Sequence, residues 1–388
     1  MRRQTLLPRP NWQKKVEAKG LLIHTPEGKP YWNESACYIF SGEEIETLEK
    51  ATAELYRLCV EAAGVVINRG LWKEFQIPAR YVDWVKQSWD ADAPSVYGRF
   101  DLAWNGSGPP KLLEFNADTP TSLLEAAVIQ WFWLEDRLAD GLAMGWDQYN
   151  NIHELLIASW TEVGAMERVG KLHIAAMTDQ AEDLMTAAYM LDVARQAGLE
   201  ASIIDMTAIG YNHDRKIFID QVNDPIDLIF KLYPWEWMLR EEFGRQLPDA
   251  ECLWVEPPWK MIMANKAMLP LLWELFPNHP NLLWAGWDAP SDCRFRYVKK
   301  PIFGREGANV TIFDASGGLI TSAEGPYSEG PLSRHIFQEF YELPRLQGNF
   351  PVLGSWVIGG EPAGLGIRED DGLITGNLSR FVPHAIEG

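Results

Sequence analysis

Cysteine is scarce: four residues in 388, Cys37, Cys59, Cys252 and Cys293. None forms a CxxC pair, which excludes a disulfide framework and a thiolate zinc site and predicts a reducing compartment. Seven histidines show no HxxxH or HExxH spacing, and no G-x-S-x-G elbow occurs. Zinc-protease and nucleophilic-hydrolase chemistry therefore have no carrier. Basic charge is short as well. Lys and Arg number 35 against 54 Asp and Glu, a net charge of −19, so the chain lacks the basic footprint of a nucleic-acid binder. Long apolar runs are missing. The longest, Leu123 to Leu134, is broken by Glu125 and Gln130 and falls short of the ~20 residues of a membrane span. The segment MRRQTLLPRPNW has no apolar h-region. The reading is therefore a cytoplasmic protein with neither a nucleic-acid nor a membrane partner.

What is present is a globular composition, 47% hydrophobic and 23% charged. The length predicts two or three domains. Ser41-Gly-Glu-Glu44 has capping-box spacing before Ile45, Leu48, Leu55 and Leu58, which predicts an amphipathic helix to about residue 67. SVYGRFDLAW and KLLEFN flank the turn-rich NGSGPP, predicting a hairpin over 97–116. A helix is expected over about 121–138. Residues 171–231 read as strand, helix, strand and strand, the βαβ pattern of an open parallel sheet. MTDQAED follows its first strand where a dinucleotide site would need G-x-G-x-x-G, so dinucleotide binding is excluded. The last third reads as a helix from Lys266 to Phe276, then strands in RYVKKPIF, NVTIFDA, RHIFQEFY, LGSWVI and AGLGIRE. The fold class is α/β in the broad sense, mixed α and β.

If the hairpin is symmetric about its turn, partners sum to 215. Asp101 then lies opposite Glu114, and Arg99 opposite Asn116. Residues two apart share a strand face, so all four project together. Two facing carboxylates destabilise a sheet unless something neutralises them. A hard cation such as Mg²⁺ suits these oxygen donors, and Arg99 beside it suits a transferring phosphoryl group. The plain alternative is a solvated hairpin face with a surface ion pair. In KKPIFGREGAN, Lys300 and Arg305 flank a glycine-rich loop able to form an anion nest, or an ordinary turn. Lys266, near a helix start, either reaches a phosphate or lies on the surface. Arg368 in GIRED is either an anion clamp or a strand-end ion pair. Glu182 and Asp183 open a helix, where the dipole alone favours acids. Their alternative role is to receive a cationic substrate.

RFDLAW, LLEFNADTPTSLLEA, KLYPWEW, NKAMLPLLWELFPNHPNLL, VKKPIFGREGAN and GIRED occur in this order. Together they resemble the synthetase domain of the glutathionylspermidine synthase family, and within it the stand-alone bacterial members, a group described as acid–amine ligases. The resemblance runs from about Pro10 to His384. It implies an ATP-grasp-like ligase with an open-sheet βαβ substrate-binding subdomain. The implied division is a helical segment plus metal-binding hairpin over 1–165, the βαβ subdomain over 166–250 and the nucleotide-binding lobes over 251–388. The implied reaction is ATP-dependent amide formation between a small-molecule acid and an amine through an acyl phosphate, and the implied cofactors are ATP and two Mg²⁺ ions.

By position, the resemblance makes Arg99 the catalytic arginine and Asp101, Glu114 and Asn116 the magnesium ligands. It places ATP against Arg99, Phe100, Asp101, Lys266 and Lys300, under Glu306 and Gly307. Gln338, Glu339, Phe340 and Tyr341 line the adenine pocket, and Leu373, Ile374 and Thr375 give a later nucleotide contact. Thr119, Glu182, Asp183, Arg305 and Arg368 fall on substrate positions. Three residues depart from the pattern. Leu232 stands where a threonine contacts glutathione, Val352 where a glutamine contacts ATP, and Arg380 where an aspartate contacts spermidine. The retained ATP and magnesium positions favour an enzyme over two rivals, a non-catalytic nucleotide- or amine-binding protein and a small-molecule kinase.

Overall fold

The computed structural model describes residues 1–166, 170–291, 295–327 and 334–387; Cys293 lies outside them. Its longest helix is Gly42–Arg69, with both bonds of the Ser41–Glu44 capping box in place and Gly70 at φ 69° closing it. Ile45, Leu48, Leu55, Leu58, Ala62 and Val66 form its buried stripe. Each fully buried leucine there contributes roughly 1.5–3 kcal/mol. The helix is tied to the strand Phe350–Ile358 by a 2.6 Å hydrogen bond between the hydroxyls of Thr52 and Ser355.

Two five-stranded antiparallel sheets frame the centre. The first runs Arg380–Val382, Glu361–Asp370, Phe350–Ile358, Tyr97–Ala103 and Lys111–Asn116. The second runs Ala285–Gly286, His335–Glu339, Tyr297–Pro301, Thr311–Phe313 and Leu319–Ser322. The hairpin has the expected register, with Arg99 opposite Asn116 and Asp101 opposite Glu114. A bulge after Asp101 then shifts the pairing.

The βαβ unit forms as read. Leu172–Ala176, Ala201–Asp205 and Leu228–Lys231 are all parallel, with the helix Ala181–Gln196 between the first two. A short further strand, Leu253–Val255, extends this sheet. A fourth sheet joins Arg2–Thr5, Ala36–Phe40, His384–Glu387 and Trp146–Asp147.

Two expectations shift. Lys266 precedes the helix Met268–Leu275 rather than opening it. The helix expected over 121–138 contains a π turn, Glu125–Ile129, before Gln130–Ala139. Gln130 accounts for it: its buried amide donates to the carbonyls of Ala126 and Leu365, each at 2.7 Å. A side chain inserted into the helical ladder in this way supports the wider turn.

Candidate active site

The cleft lies between the two five-stranded sheets, which two lysine- and glutamine-mediated links hold together. Lys300 donates to the Leu113 carbonyl at 2.9 Å and to the Gln338 side chain at 2.8 Å. The Gln338 amide in turn donates to the Leu112 carbonyl at 2.9 Å. Both side chains are buried. Desolvation lowers the Lys300 ammonium to about 8, with Glu114 acting in the opposite direction.

Arg99, Asp101, Glu114 and Asn116 share the hairpin face toward this cleft. Arg99 makes a bidentate pair with Asp101, at 2.7 and 3.1 Å, and donates to the Thr121 carbonyl at 2.6 Å. Room for it comes from Gly354 on the neighbouring strand, where a Cβ would sit 2.8 Å from the arginine Cδ. The Asn116 amide lies 3.3 Å from both Asp101 and Glu114. Lys266 reaches Glu114 at 2.9 Å and the Gly304 carbonyl at 2.6 Å. Desolvation alone would raise Glu114, but Lys266, Lys300 and Arg99 together hold its carboxyl at about 2. The two facing carboxylates are thus each matched by a cation.

Among the described residues no three His, Cys, Asp or Glu side chains gather into a metal cluster. The donor set here is two carboxylates and one amide in mutual contact. That set fits a hard cation sharing its remaining positions with phosphate and water.

The glycine-rich loop closes one side. Gly307 has φ +70°, and a Cβ there would fall 2.5 Å from the Thr375 carbonyl. Glycine is what lets Glu306 and Gly307 pack against Leu373, Ile374 and Thr375, all five lining the cleft. Gln338, Glu339, Phe340 and Tyr341 line it too, as do Thr119, Arg305, Arg368 and Val352. Phe100 is turned the other way: its ring is fully buried and stacks on Phe115 with centroids 3.9 Å apart.

Arg305 donates to Thr119 at 2.7 Å and to Glu236 at 2.9 and 3.2 Å. Arg368 donates to the carbonyls of Gly376 and Asn377. Glu182 and Asp183 do not line the cleft but lie within electrostatic reach of Glu306, which does. Burial, with Glu125, Glu306 and each other as like charges, raises Glu182 to about 7. Burial, Asp179 and Glu306 raise Asp183 to about 6. Leu232 is buried. Arg380 is engaged by Asp371 at 2.6 Å, Asn349 at 2.8 Å and Glu369 at 3.5 Å, so its charge is matched locally.

Reading by sequence missed Glu236, although KLYPWEW was in view, and missed Asp118 in the equally visible NADTP. Asp118 forms a fully buried ion pair with Lys231 and accepts the Trp235 backbone N–H at 3.0 Å. This fixes the start of the turn that carries Glu236. Glu125 was also missed; it is buried and accepts from Tyr31 at 2.7 Å.

Two sheets clasping a cleft under a glycine-rich loop, beside an open parallel sheet, define an ATP-grasp-like fold. A glutathione synthetase-like effector from Globodera pallida superposes with a TM-score of 0.55 at 12% identity, over 97% of this chain and 99% of that one. A family model described as glutathionylspermidine synthase preATP-grasp matches residues 3–387. The chain belongs to the glutathionylspermidine synthase family. It is 40% identical to a Haemophilus influenzae protein named "putative acid–amine ligase", over 93% of this chain and 92% of that one. It is 30% identical to trypanothione synthetase of Crithidia fasciculata, over 84% of this chain but 53% of that enzyme. To the bifunctional glutathionylspermidine synthetase/amidase of Escherichia coli it is 26% identical, over 95% of this chain and 61% of that enzyme.

Proposed function

We propose that the chain is an ATP- and Mg²⁺-dependent acid–amine ligase that forms an amide through an acyl phosphate. One observation carries this reading: in the contact chain Arg99–Asp101–Asn116–Glu114–Lys266, two carboxylates bridged by an amide on one hairpin face stand between two cations. Asp101, Glu114 and Asn116 would hold magnesium, which when bound offsets charge on the phosphates. Lys266 and Lys300 would bind the nucleotide phosphates, and Gln338 to Tyr341 would border the base. The substrate carboxylate oxygen attacks the γ-phosphorus and ADP leaves. Arg99 and Arg305 stabilise the charge that develops there. The amine nitrogen then attacks the acyl carbon, phosphate leaves, and the amine proton passes to a nearby carboxylate.

Glu182 and Asp183 support the amine side of this reading. They are raised carboxyls close to neutral pH, able to attract an ammonium and to accept its proton. Arg380, matched by Asp371 and Glu369, adds no free positive charge against an amine of peptide or polyamine type.

The test is ADP release with Mg²⁺ and pooled acids and amines, with mass spectrometry of new amides. Wild type is expected to yield an amide that Arg99→Ala and Glu114→Ala lose. A phosphorylated product formed without any amine requirement would favour a small-molecule kinase. ATP binding with no turnover across the pool would favour a non-catalytic binder.

A further inference from the structure

A second and larger cavity shares no lining residue with the cleft. Its volume is about 1160 Å³. One wall is the helix Ala181–Gln196, which contributes Ala181, Leu184, Met185, Ala188 and Tyr189. The facing wall is the π turn with its flanks, which contributes Leu124, Ala127, Val128, Trp131 and Phe132. Both sets follow the spacing i, i+3, i+4, i+7, i+8. That is the seam a helix presents to another helix. Both walls are anchored in the core, and Leu124, Ala127, Met185 and Tyr189 of the groove are themselves buried in it. The apolar surface the groove leaves open is Trp131 and Phe132, each 38% exposed, and Leu184, 39% exposed, with the exposed Ala188 one turn along from Leu184.

We propose that this groove docks one amphipathic, basic helix of a partner protein. The form of the groove suits a helix, because two helical walls present side chains three and four residues apart, the pattern a third helix packs against. Charge selects a basic one. Asp147, Glu154 and Asp192 stand exposed among the lining residues, against Lys19 alone as a fixed cation. Lys19 itself shows how a basic residue seats here, its ammonium 3.5 Å above the Phe132 ring. A second copy of this chain, with net charge −19, and an anionic lipid are both disfavoured by the same carboxylates. The mode is a helix laid in a groove, with apolar anchors inward and Lys or Arg at its edges.

The test uses a fluorescein-labelled 14-residue Leu/Lys peptide with leucines at the helical spacing, and a matched Leu/Glu peptide. Fluorescence anisotropy is read at 150 mM salt. Wild type is expected to bind the Lys peptide at micromolar concentration and the Glu peptide at least tenfold more weakly. Ala188→Arg, at an exposed groove position, is expected to weaken the Lys peptide at least tenfold, and Trp131→Ala to do so independently. Glu46→Gln makes the same change in charge on the exposed side of the helix Gly42–Arg69 and is expected to leave binding unchanged. Equal losses in Ala188→Arg and Glu46→Gln would reduce the effect to non-specific charge and overturn the proposal. So would no loss in either groove variant, or a wild-type dimer that Ala188→Arg dissociates.

Discussion

Lys266 forms a 2.9 Å ion pair with Glu114, a residue that lines the cleft. A lysine suited to phosphate and a carboxylate suited to a metal thus neutralise each other before either meets a ligand. Glu114→Ala would leave Lys266 without its partner and remove one oxygen donor. A loss of about 10²–10³-fold in ADP release is expected, the scale of removing one preorganised transition-state contact. Chelating Mg²⁺ with EDTA is expected to abolish wild-type turnover, with recovery on adding the metal back.

Glu182 sets a pH dependence. Its carboxyl sits at about 7, so it is largely neutral at pH 6 and charged at pH 8. The kcat/KM for the amine is expected to rise across that window, and Glu182→Gln to flatten the rise. Stability moves the other way. A carboxyl raised in the folded state holds more protons there than in the unfolded chain between about 4.5 and 7, so stability falls as pH rises through this range. Thermal melts at pH 5, 6, 7 and 8 check this, with a smaller fall expected for Glu182→Gln.

Lys300 titrates in the opposite sense. Desolvation brings it to about 8, so its charge is present at pH 7 and mostly absent at pH 9. ATP affinity measured by calorimetry is expected to weaken at least fivefold over that interval. Lys300→Gln is expected to bind ATP weakly at both values.

The Asp118–Lys231 pair is fully buried. Lys231→Met would strand a carboxylate in the interior at a cost of about 3–5 kcal/mol, read by urea unfolding. The double variant Asp118→Asn, Lys231→Met is expected to lose less than Lys231→Met alone, since no uncompensated charge remains. Both are expected to loosen the Trp235–Glu236 turn and so raise KM where Arg305 acts.

The hairpin was legible because its partners are close in sequence. One turn sets its register, and alternation along each strand decides which side chains share a face. Arg99, Asp101, Glu114 and Asn116 therefore came together on paper much as they do in space. The βαβ unit was legible for a similar reason, its periodicity changing cleanly between strand and helix. Contacts made across long separations were hidden. Arg305 meets Glu236 across 69 residues, and nothing local in KLYPWEW marks that glutamate. The π turn is imposed by a Gln130 amide reaching Leu365, 235 residues away, on a stretch whose own pattern is ordinary helix. The strand Leu253–Val255 has three residues, too few to show alternation.

The strand Phe350–Ile358 pairs with Tyr97–Ala103, placing Gly354 opposite Asp101. It is also the strand that seats Arg99. During synthesis the ribosome must therefore release some 250 further residues before this strand can meet the hairpin. Contacts so remote in sequence raise contact order and slow folding. The hairpin can close early, but its paired carboxylates and arginine must wait in an unfinished sheet. Chains that stall before residue 350 would consequently carry Lys266 and Lys300 without the strand that completes the sheet around Arg99.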